Sequence, residues 1–288
     1  MRYRSNNILA LIPPTKEGKL LLNQSLFFQQ SLGMRIFVYH IIDKPSLFEQ
    51  LFHAKRANHY KSNELVKLRR FIEESIPEKS LNQFTYRIKT GDPLSVLQRQ
   101  SKKGGYEFII IDKCEQGSTL DPDDTDKLIS RTFCPVMTVN RNYQINNVKR
   151  IVIPVDILQT TKKKLLWATF FAKKFDAQVT IVSALTMNID IKKSLAWRNA
   201  EKLKHMLSQR GVKCDVEILK AKGQEKHNLV LDYIAREKPE LVIIRTHQES
   251  RLAGTHIGKF VSEIVHGCQM PVFTVNRFLN PTPVDFEV

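Results

Sequence analysis

The chain has 288 residues, a hydrophobic share of 42% and a formal net charge of +16. This length fits two domains of ordinary size, and the hydrophobic share is usual for a soluble globular chain. No apolar run approaches the roughly 18 residues that a membrane helix needs. The apolar run near the N-terminus is also shorter than that of a secretory signal. We therefore expect a cytoplasmic protein with no membrane contact.

The positive charge is shared between the two halves of the chain, because residues 1–145 carry +7 and residues 146–288 carry +9. Acidic partners, including nucleic acid, are compatible with this excess. However, the basic runs KLRR and KKK lie within amphipathic helices, whose charged faces are normally solvated, and no nucleic-acid-binding motif accompanies them. A basic nucleic-acid binder is therefore kept as an alternative function rather than the leading one.

A duplicated domain is indicated by a phrase that occurs twice. CPVMTVNR at 134–141 is followed 136 residues later by MPVFTVNR at 270–277. Upstream of it, FIIID at 108–112 matches LVIIR at 241–245 in the same order. Coincidence would not preserve this order. We therefore predict two tandem domains, residues 1–145 and residues 146–288.

The elements in chain order predict strands that alternate with helices. The first half opens with the strand ILALIP and carries an insertion before Gly91 relative to the second half. The second half reads as the strand IVIPVD, the helix TTKKKLLWATFFAKKF, the strand QVTIVSAL, the long helix IKKSLAWRNAEKLKHMLSQRG closed by Gly211, the strand KCDVEIL, the helix KHNLVLDYIAREK, the strand ELVIIR, the helix IGKFVSEIVHG and the strand PVFTVN. This order predicts an α/β fold of two tandem doubly wound (Rossmann-like) domains, each with a five-stranded parallel sheet.

Ligands of such folds bind outside the carboxyl ends of the strands, where the strand order reverses. In the second half this location corresponds to Asp156 and the loop Arg245–Lys259. In the first half it corresponds to Pro13 and the loop Asp112–Asp126.

At these positions the chain resembles the universal stress protein family in its tandem form. The resemblance rests on IVIPVD as an opening strand, on TGDPLSVL before a helix, and on VIIRTHQESRLAGTHIGKFVSEIVHGCQMPVFTV near the end. It covers both halves and implies the five-stranded α/β fold already predicted, together with a role in stress response. Many members of this family bind ATP through a pattern of three glycines followed by Ser or Thr.

The second half matches this glycine pattern only in part. Arg245 and Gln248 stand at the first two glycine positions, Gly258 matches the third, and Lys259 replaces the Ser or Thr. Asp156 matches the aspartate that meets adenine in ATP-binding members. Glycines at such positions let a backbone approach phosphates, which then meet amides at a helix N-terminus.

Two interpretations of this loop are open. In the first, which the loss of two glycines favours, the site is lost because Arg245 and Gln248 fill the phosphate space. In the second, Arg245 and Lys259 replace backbone contacts with cationic ones, and ATP or another nucleotide still binds. The candidate ligand-binding residues are Asp156, Arg245, His247, Gly258 and Lys259.

The first half has no glycine pattern, and Pro13 replaces the adenine aspartate. Its loop contains acidic residues that would repel a triphosphate and that we interpret as stabilising a helix N-terminus: Asp121, Asp123, Asp124 and Asp126. No nucleophile accompanies His247 or His256 in the second half. We therefore expect no enzymatic activity, no resident cofactor and no metal.

The last strand of each half, PVMTVN or PVFTVN, is apolar and would form an exposed edge, which proteins usually cover. We therefore predict that the two strands pair within one chain, as an intramolecular pseudo-dimer that can form a further homodimer. We expect the four cysteines (Cys114, Cys134, Cys214, Cys268) to be reduced and at least half-buried. The leading functional hypothesis is a non-enzymatic stress-response protein that acts through an unknown protein partner or through ligand sensing.

Overall fold

A computed structural model describes residues 6–44, 54–113, 118–155, 162–185, 190–221, 223–246 and 257–275. Within these ranges, each half contributes five strands and four α-helices. The first half contains β1 (Asn7–Leu11), α1 (Lys16–Leu32), β2 (Arg35–Ile42), α2 (Ala54–Ser75), β3 (Phe84–Thr90), α3 (Pro93–Lys103), β4 (Phe108–Asp112), α4 (Pro122–Arg131) and β5 (Val136–Val139). The second half contains β6 (Arg150–Pro154), α5 (Lys162–Phe175), β7 (Gln178–Leu185), α6 (Leu195–Ser208), β8 (Cys214–Lys220), α7 (Lys226–Glu237), β9 (Leu241–Arg245), α8 (Lys259–Gly267) and β10 (Val272–Val275).

The strands form one continuous ten-stranded sheet in the order β3-β2-β1-β4-β5-β10-β9-β6-β7-β8. All neighbouring strands within a half are parallel, and β5 pairs with β10 in the antiparallel direction. The predicted α/β fold is confirmed, and the two five-stranded sheets are joined into one. The strand order reverses between β1 and β4 and again between β6 and β9, which is where such folds place ligands.

The junction between the halves is nearly symmetric. Met137 lies opposite Phe273, its counterpart in the repeat, and Thr138 lies opposite Val272. The hydroxyl of Thr138 donates to the carbonyl of Val272 at 3.4 Å, and the equivalent hydroxyl of Thr274 donates to Val136 at 2.8 Å. Each half thus makes the same contact to the other, as expected at a twofold interface. The predicted pairing of the two last strands is confirmed.

On one face of the sheet, aromatic side chains from both halves form a continuous core. Phe108 of β4 packs edge-to-face against Phe273 of β10, with ring centroids 5.5 Å apart. Trp167 of α5 lies 4.9 Å from Phe273 and 6.2 Å from Phe108. All three side chains are buried. Because large aromatic residues dominate core energetics, this cluster ties the two halves together.

On the opposite face, a polar cluster joins α4 to α8. Asp126 accepts one hydrogen bond from the Ser262 hydroxyl at 2.6 Å, and its carboxylate lies 2.8 Å from His266 Nε2. Asp126 and Ser262 occupy equivalent positions in the repeat, 136 residues apart. One of the four acidic residues that we assigned to a helix N-terminus therefore serves instead as a contact between the halves.

One predicted helix boundary is wrong. The sequence predicts a single helix from Ile191 to Gly211, but a short 3₁₀ turn at Ile191–Lys193 precedes α6. Ser194 separates the two because its hydroxyl accepts a hydrogen bond from Trp197 N at 3.1 Å and caps α6. Serine is more favourable at an N-cap than in a helix interior, because its hydroxyl can bond to the backbone amides of the first turn.

The predicted insertion in the first half corresponds to a longer helix, because α2 has 22 residues and α6 has 14. Cys134, Cys214 and Cys268 are buried as predicted, and burial raises the pKa of each thiol. Cys114 lies outside the described residues. Within the described residues, no helix is both long and apolar enough to cross a lipid bilayer.

Candidate functional site

In the second half, the candidate site consists of the carboxyl ends of β6 and β9 and the start of α8. Val261 and Ile264 of α8 belong to the same hydrophobic cluster as Ile244 of β9. Next to β9, the Ser183 hydroxyl is buried and donates to the carbonyl of Val155 at 3.0 Å. Ser183 therefore fixes the end of β6 rather than lining a pocket.

Arg245 is the last residue of β9 and lies at the reversal of the strand order. Its backbone pairs with Val275 of β10, and the next residue, Thr246, donates to the Val275 carbonyl at 3.0 Å. The side chain of Arg245 is only partly exposed, and burial lowers the pKa of the guanidinium. An arginine nevertheless keeps its proton in proteins, so a positive charge lies in a partly desolvated position at the strand end.

The N-terminus of α8 has no side-chain cap. Its N-cap residue is Gly258, which is buried and has φ −63° and ψ 150°. This conformation is open to any residue, so the backbone angles do not require glycine here. The lack of a side chain does leave the first amides of α8 without the carboxylate or hydroxyl that caps most helices.

Lys259 follows as the first residue of α8, and its side chain is 62% exposed. Its ammonium lies 3.7 Å from the carboxylate of Glu225, which precedes α7 and also lies 3.7 Å from His227 Nδ1. Exposed pairs of this kind are weak. Lys259 is therefore able to move from Glu225 towards a stronger anion.

Of the five predicted ligand-binding residues, Arg245, Gly258 and Lys259 are described at the end of β9 and the start of α8. Asp156 and His247 lie outside the described residues, as do Gln248 and His256.

The first half differs at the equivalent helix. Asp121 is the N-cap of α4, and its carboxylate accepts a hydrogen bond from Asp124 N at 2.7 Å. Asp123 and Asp124 in the first turn form ion pairs with Lys127. The interpretation of these three aspartates as residues that stabilise a helix N-terminus is confirmed. Their charges occupy the position where an anionic ligand would have to approach.

The strand ends of the first half are closed by an internal ion pair. Asp112 at the end of β4 pairs with Arg141, which follows β5 and is 4% exposed. The hydroxyl of Ser118 bridges the two, because it donates to Asp112 at 3.0 Å and accepts from Arg141 at 2.9 Å. Asp112 occupies the place in the repeat that Arg245 has in the second half. The two halves thus carry opposite charges at equivalent strand ends.

Sequence reasoning missed this ion pair. Arg141 belongs to the repeated phrase TVNR, which indicates duplication and does not by itself indicate an ion pair. The pairing arises because β4 and β5 are parallel neighbours with Asp112 opposite Val139, two residues before Arg141. An arginine just beyond a strand whose neighbour ends in aspartate was the available signal.

Residues 147–276 match the family model described as the universal stress protein family. This match spans most of the second half of the chain. Comparison with curated protein sequences found no match.

Solved structures with the same fold extend over both halves. A universal stress protein from Archaeoglobus fulgidus DSM 4304 is similar with a TM-score of 0.69 at 16% identity, over 96% of this chain and 100% of that chain. A protein of unknown function from Pseudomonas aeruginosa PAO1 is similar with a TM-score of 0.62 at 17% identity, over 95% of this chain and 93% of that chain. Identities this low establish the fold alone.

Proposed function

We propose that this chain is a tandem universal stress protein that acts by binding rather than by catalysis, and that its second half senses an anionic ligand. The two domains comprise residues 1–145 and residues 146–288. The observation that carries the proposal is the difference between the two equivalent helix starts. Asp121 caps α4 with its own carboxylate, whereas the start of α8 has no side-chain cap and follows the strand that ends in Arg245.

A phosphate-bearing ligand such as ATP fits this arrangement best. Amides at a helix N-terminus and a nearby guanidinium both favour negative charge. Gly258 would let the phosphates approach the backbone, and Lys259 would add a second cation. Asp156 and His247 are the further candidates, Asp156 as the acceptor for an adenine amino group. Two non-glycine residues in the loop limit how closely phosphates approach, so we expect weak binding.

Titration of a fluorescent ATP analogue tests this proposal. We expect weak binding that falls at least about tenfold in Gly258→Asp, because the new carboxylate would both cap α8 and repel phosphate. Arg245→Gln and Asp156→Ala should also weaken binding. Arg198→Gln, which neutralises an exposed arginine on α6, serves as the matched control and should bind as the wild type does.

The outcomes separate three explanations. Equal loss in Arg198→Gln would show that only the overall positive charge attracts the analogue. Binding that survives all three site substitutions would mean that the site lies elsewhere. No wild-type binding would mean that the phosphate site has been lost, and the function would then rest on a protein partner.

Hydrolysis is tested separately, by incubating the protein with ATP and measuring released phosphate. We expect none above background. Turnover that disappears in Gly258→Asp would contradict the non-enzymatic part of the proposal.

A further inference from the structure

The two outer edges of the sheet carry opposite charges. Within the described residues, β3 ends the sheet on one side and β8 ends it on the other, each with one unpaired edge. Arg87 and Lys89 of β3 lie on the same sheet face as Asp215 and Glu217 of β8. The residues that pair with these four on the neighbouring strands β2 and β7 all lie on the face that contains Tyr39 and Val182.

The cations of β3 have no carboxylate partner among the described residues. Arg87 lies over the ring of Phe37 at 5.5 Å, and Lys89 lies over the ring of Tyr39 at 5.6 Å. Other cations surround Lys89, namely Arg87, Lys103, Lys61 and Arg99. The positive charge at this edge is therefore not neutralised locally. At the other edge, Asp215 accepts a hydrogen bond from Gln178, and Glu217 is exposed.

The outward-pointing backbone N–H and C=O groups of the two edges also match each other, in addition to the charges. Gly91 N donates to Ile42 of β2, and Ala221 N donates to Leu185 of β7. Because peptide groups alternate in direction along a strand, the odd-numbered residues of β3 and β8 point their backbone groups inwards. The even-numbered residues Tyr86 and Ile88 of β3 therefore point theirs outwards, as do Val216 and Ile218 of β8.

We propose that β3 of one chain pairs with β8 of a second copy in the antiparallel direction, with Arg87 opposite Glu217 and Lys89 opposite Asp215. The strands of the first half run opposite to those of the second half, so β3 and β8 have opposite directions. If the sheet of one molecule continues into the next molecule in the same orientation, β3 therefore meets β8 in the antiparallel direction. The register that aligns the charges also brings together the outward backbone groups.

In this register, Tyr86 faces Ile218 and Ile88 faces Val216, and each such pair exchanges two hydrogen bonds. Their apolar side chains meet on the opposite sheet face from the charges. The charged residues take the non-hydrogen-bonded positions, where facing side chains are closest.

The charges also exclude the symmetric alternatives. Pairing β3 with β3, or β8 with β8, would place like charges opposite each other, which is destabilising. Charged residues on an edge strand normally prevent association. Here they prevent like-with-like pairing and permit only β3 with β8, a head-to-tail contact that adds further copies in series.

Exposed apolar side chains cluster on the helices next to these edges. α2 packs on β3, and α6 packs on β8. Four of the five exposed large hydrophobic residues in the described part of the chain lie on these two helices: Tyr60, Leu65, Val66 and Leu195. Two edge strands of seven residues bury little area, so we expect a weak, concentration-dependent association.

Sedimentation velocity over a wide concentration range tests the proposal. We expect the wild type to form a series of oligomers that disappears at about 1 M salt, where the Debye length is about 3 Å. R87E/K89E and D215K/E217R should each remain monomeric. K16E/K19E on α1 makes the same change in net charge as R87E/K89E at exposed positions away from both edges, and should associate as the wild type does.

Two further samples test complementarity rather than charge alone. The chain that carries all four edge substitutions should associate again, because the charges are exchanged between the edges. An equimolar mixture of R87E/K89E and D215K/E217R should associate too. Failure of both to associate, a wild type that is monomeric at every concentration, or association of either two-substitution variant alone would overturn the proposal.

A single-stranded RNA oligonucleotide, added to the wild type, tests whether the β3 cations bind nucleic acid instead of a second copy of the chain. We expect it to leave the association unchanged. RNA binding that is lost in R87E/K89E, in a wild type that does not self-associate, would assign the cations to nucleic acid and overturn the proposal.

Discussion

At the scale of single residues, the two halves use equivalent positions for opposite purposes. Asp112 ends β4 in a buried ion pair with Arg141, while Arg245 ends β9 as a partly exposed cation. The first arrangement stabilises the fold and occupies the strand ends. The second places a positive charge at the equivalent strand end. A duplicated domain can in this way keep one copy structural and the other responsive.

Arg141→Ala should lower the free energy of unfolding by about 3–5 kcal/mol, because it leaves the carboxylate of Asp112 without its cation in a largely buried position. Denaturant unfolding measures this loss. Arg69→Ala is the matched control, because Arg69 pairs with Glu73 on an exposed face of α2 and should have little effect. Equal effects of the two substitutions would contradict the assigned role of Arg141.

His40 makes the stability depend on pH. It lies beside Glu64 at 3.4 Å, and burial lowers the pKa of its imidazole from 6.5. The unfolded chain therefore binds a proton at a higher pH than the folded chain, so stability should fall as pH falls below about 6.5. We expect His40→Asn to reduce this dependence between neutral pH and about pH 5 in denaturant titrations. His205→Asn, at an exposed histidine, should retain it; an unchanged slope in His40→Asn would refute the assignment.

At the scale of elements, local contacts determine where the helices begin. Only some of these contacts can be recognised in the sequence. Asp121 and Ser194 cap α4 and α6 with their own side chains. The start of α1 depends on close approach, because the amide of Gly18 donates to the Thr15 hydroxyl while a Cβ at Gly18 would lie 1.9 Å from the Pro13 carbonyl oxygen. No general pattern in the sequence marks such an approach.

Gly18→Ala should therefore displace the start of α1 and destabilise the fold by about 1–3 kcal/mol, the usual range for overpacking. Thermal and denaturant unfolding measure the effect. In the matched control Gly267→Ala, the new Cβ would meet Leu231 Cδ1 at 2.7 Å, the end of a side chain that can rotate away. A smaller loss in Gly18→Ala than in Gly267→Ala would show that the α1 contact is not rigid.

Most of the elements could be predicted from the sequence, since buried parallel strands read as apolar runs such as LVIIR and FIIID. The end of β9 at Arg245 could be predicted for the same reason, and the start of α8 near Gly258 could be predicted from the helical spacing of the apolar residues that follow it. The Asp112–Arg141 pair and the Asp126–Ser262 contact could not. Each joins residues that are distant in sequence and meet only after the strand order, or the twofold arrangement of the halves, is known.

At the scale of the whole molecule, the sheet makes the two halves a single body with two different strand-end regions. The junction of β5 with β10 and the cluster of Phe108, Trp167 and Phe273 fix the halves to each other. One region is filled by the first half's own side chains. The other contains the start of α8 and Arg245, and we propose ligand sensing for the second half alone.

Hydrogen–deuterium exchange of the full chain with and without ATP tests this assignment most directly. We expect slower exchange at the first amides of α8 and at Thr246, and no change at the first amides of α4. Those amides of α4 are already satisfied in part by Asp121. Protection at the start of α4, or no protection at the start of α8, would contradict the assignment of ligand sensing to the second half.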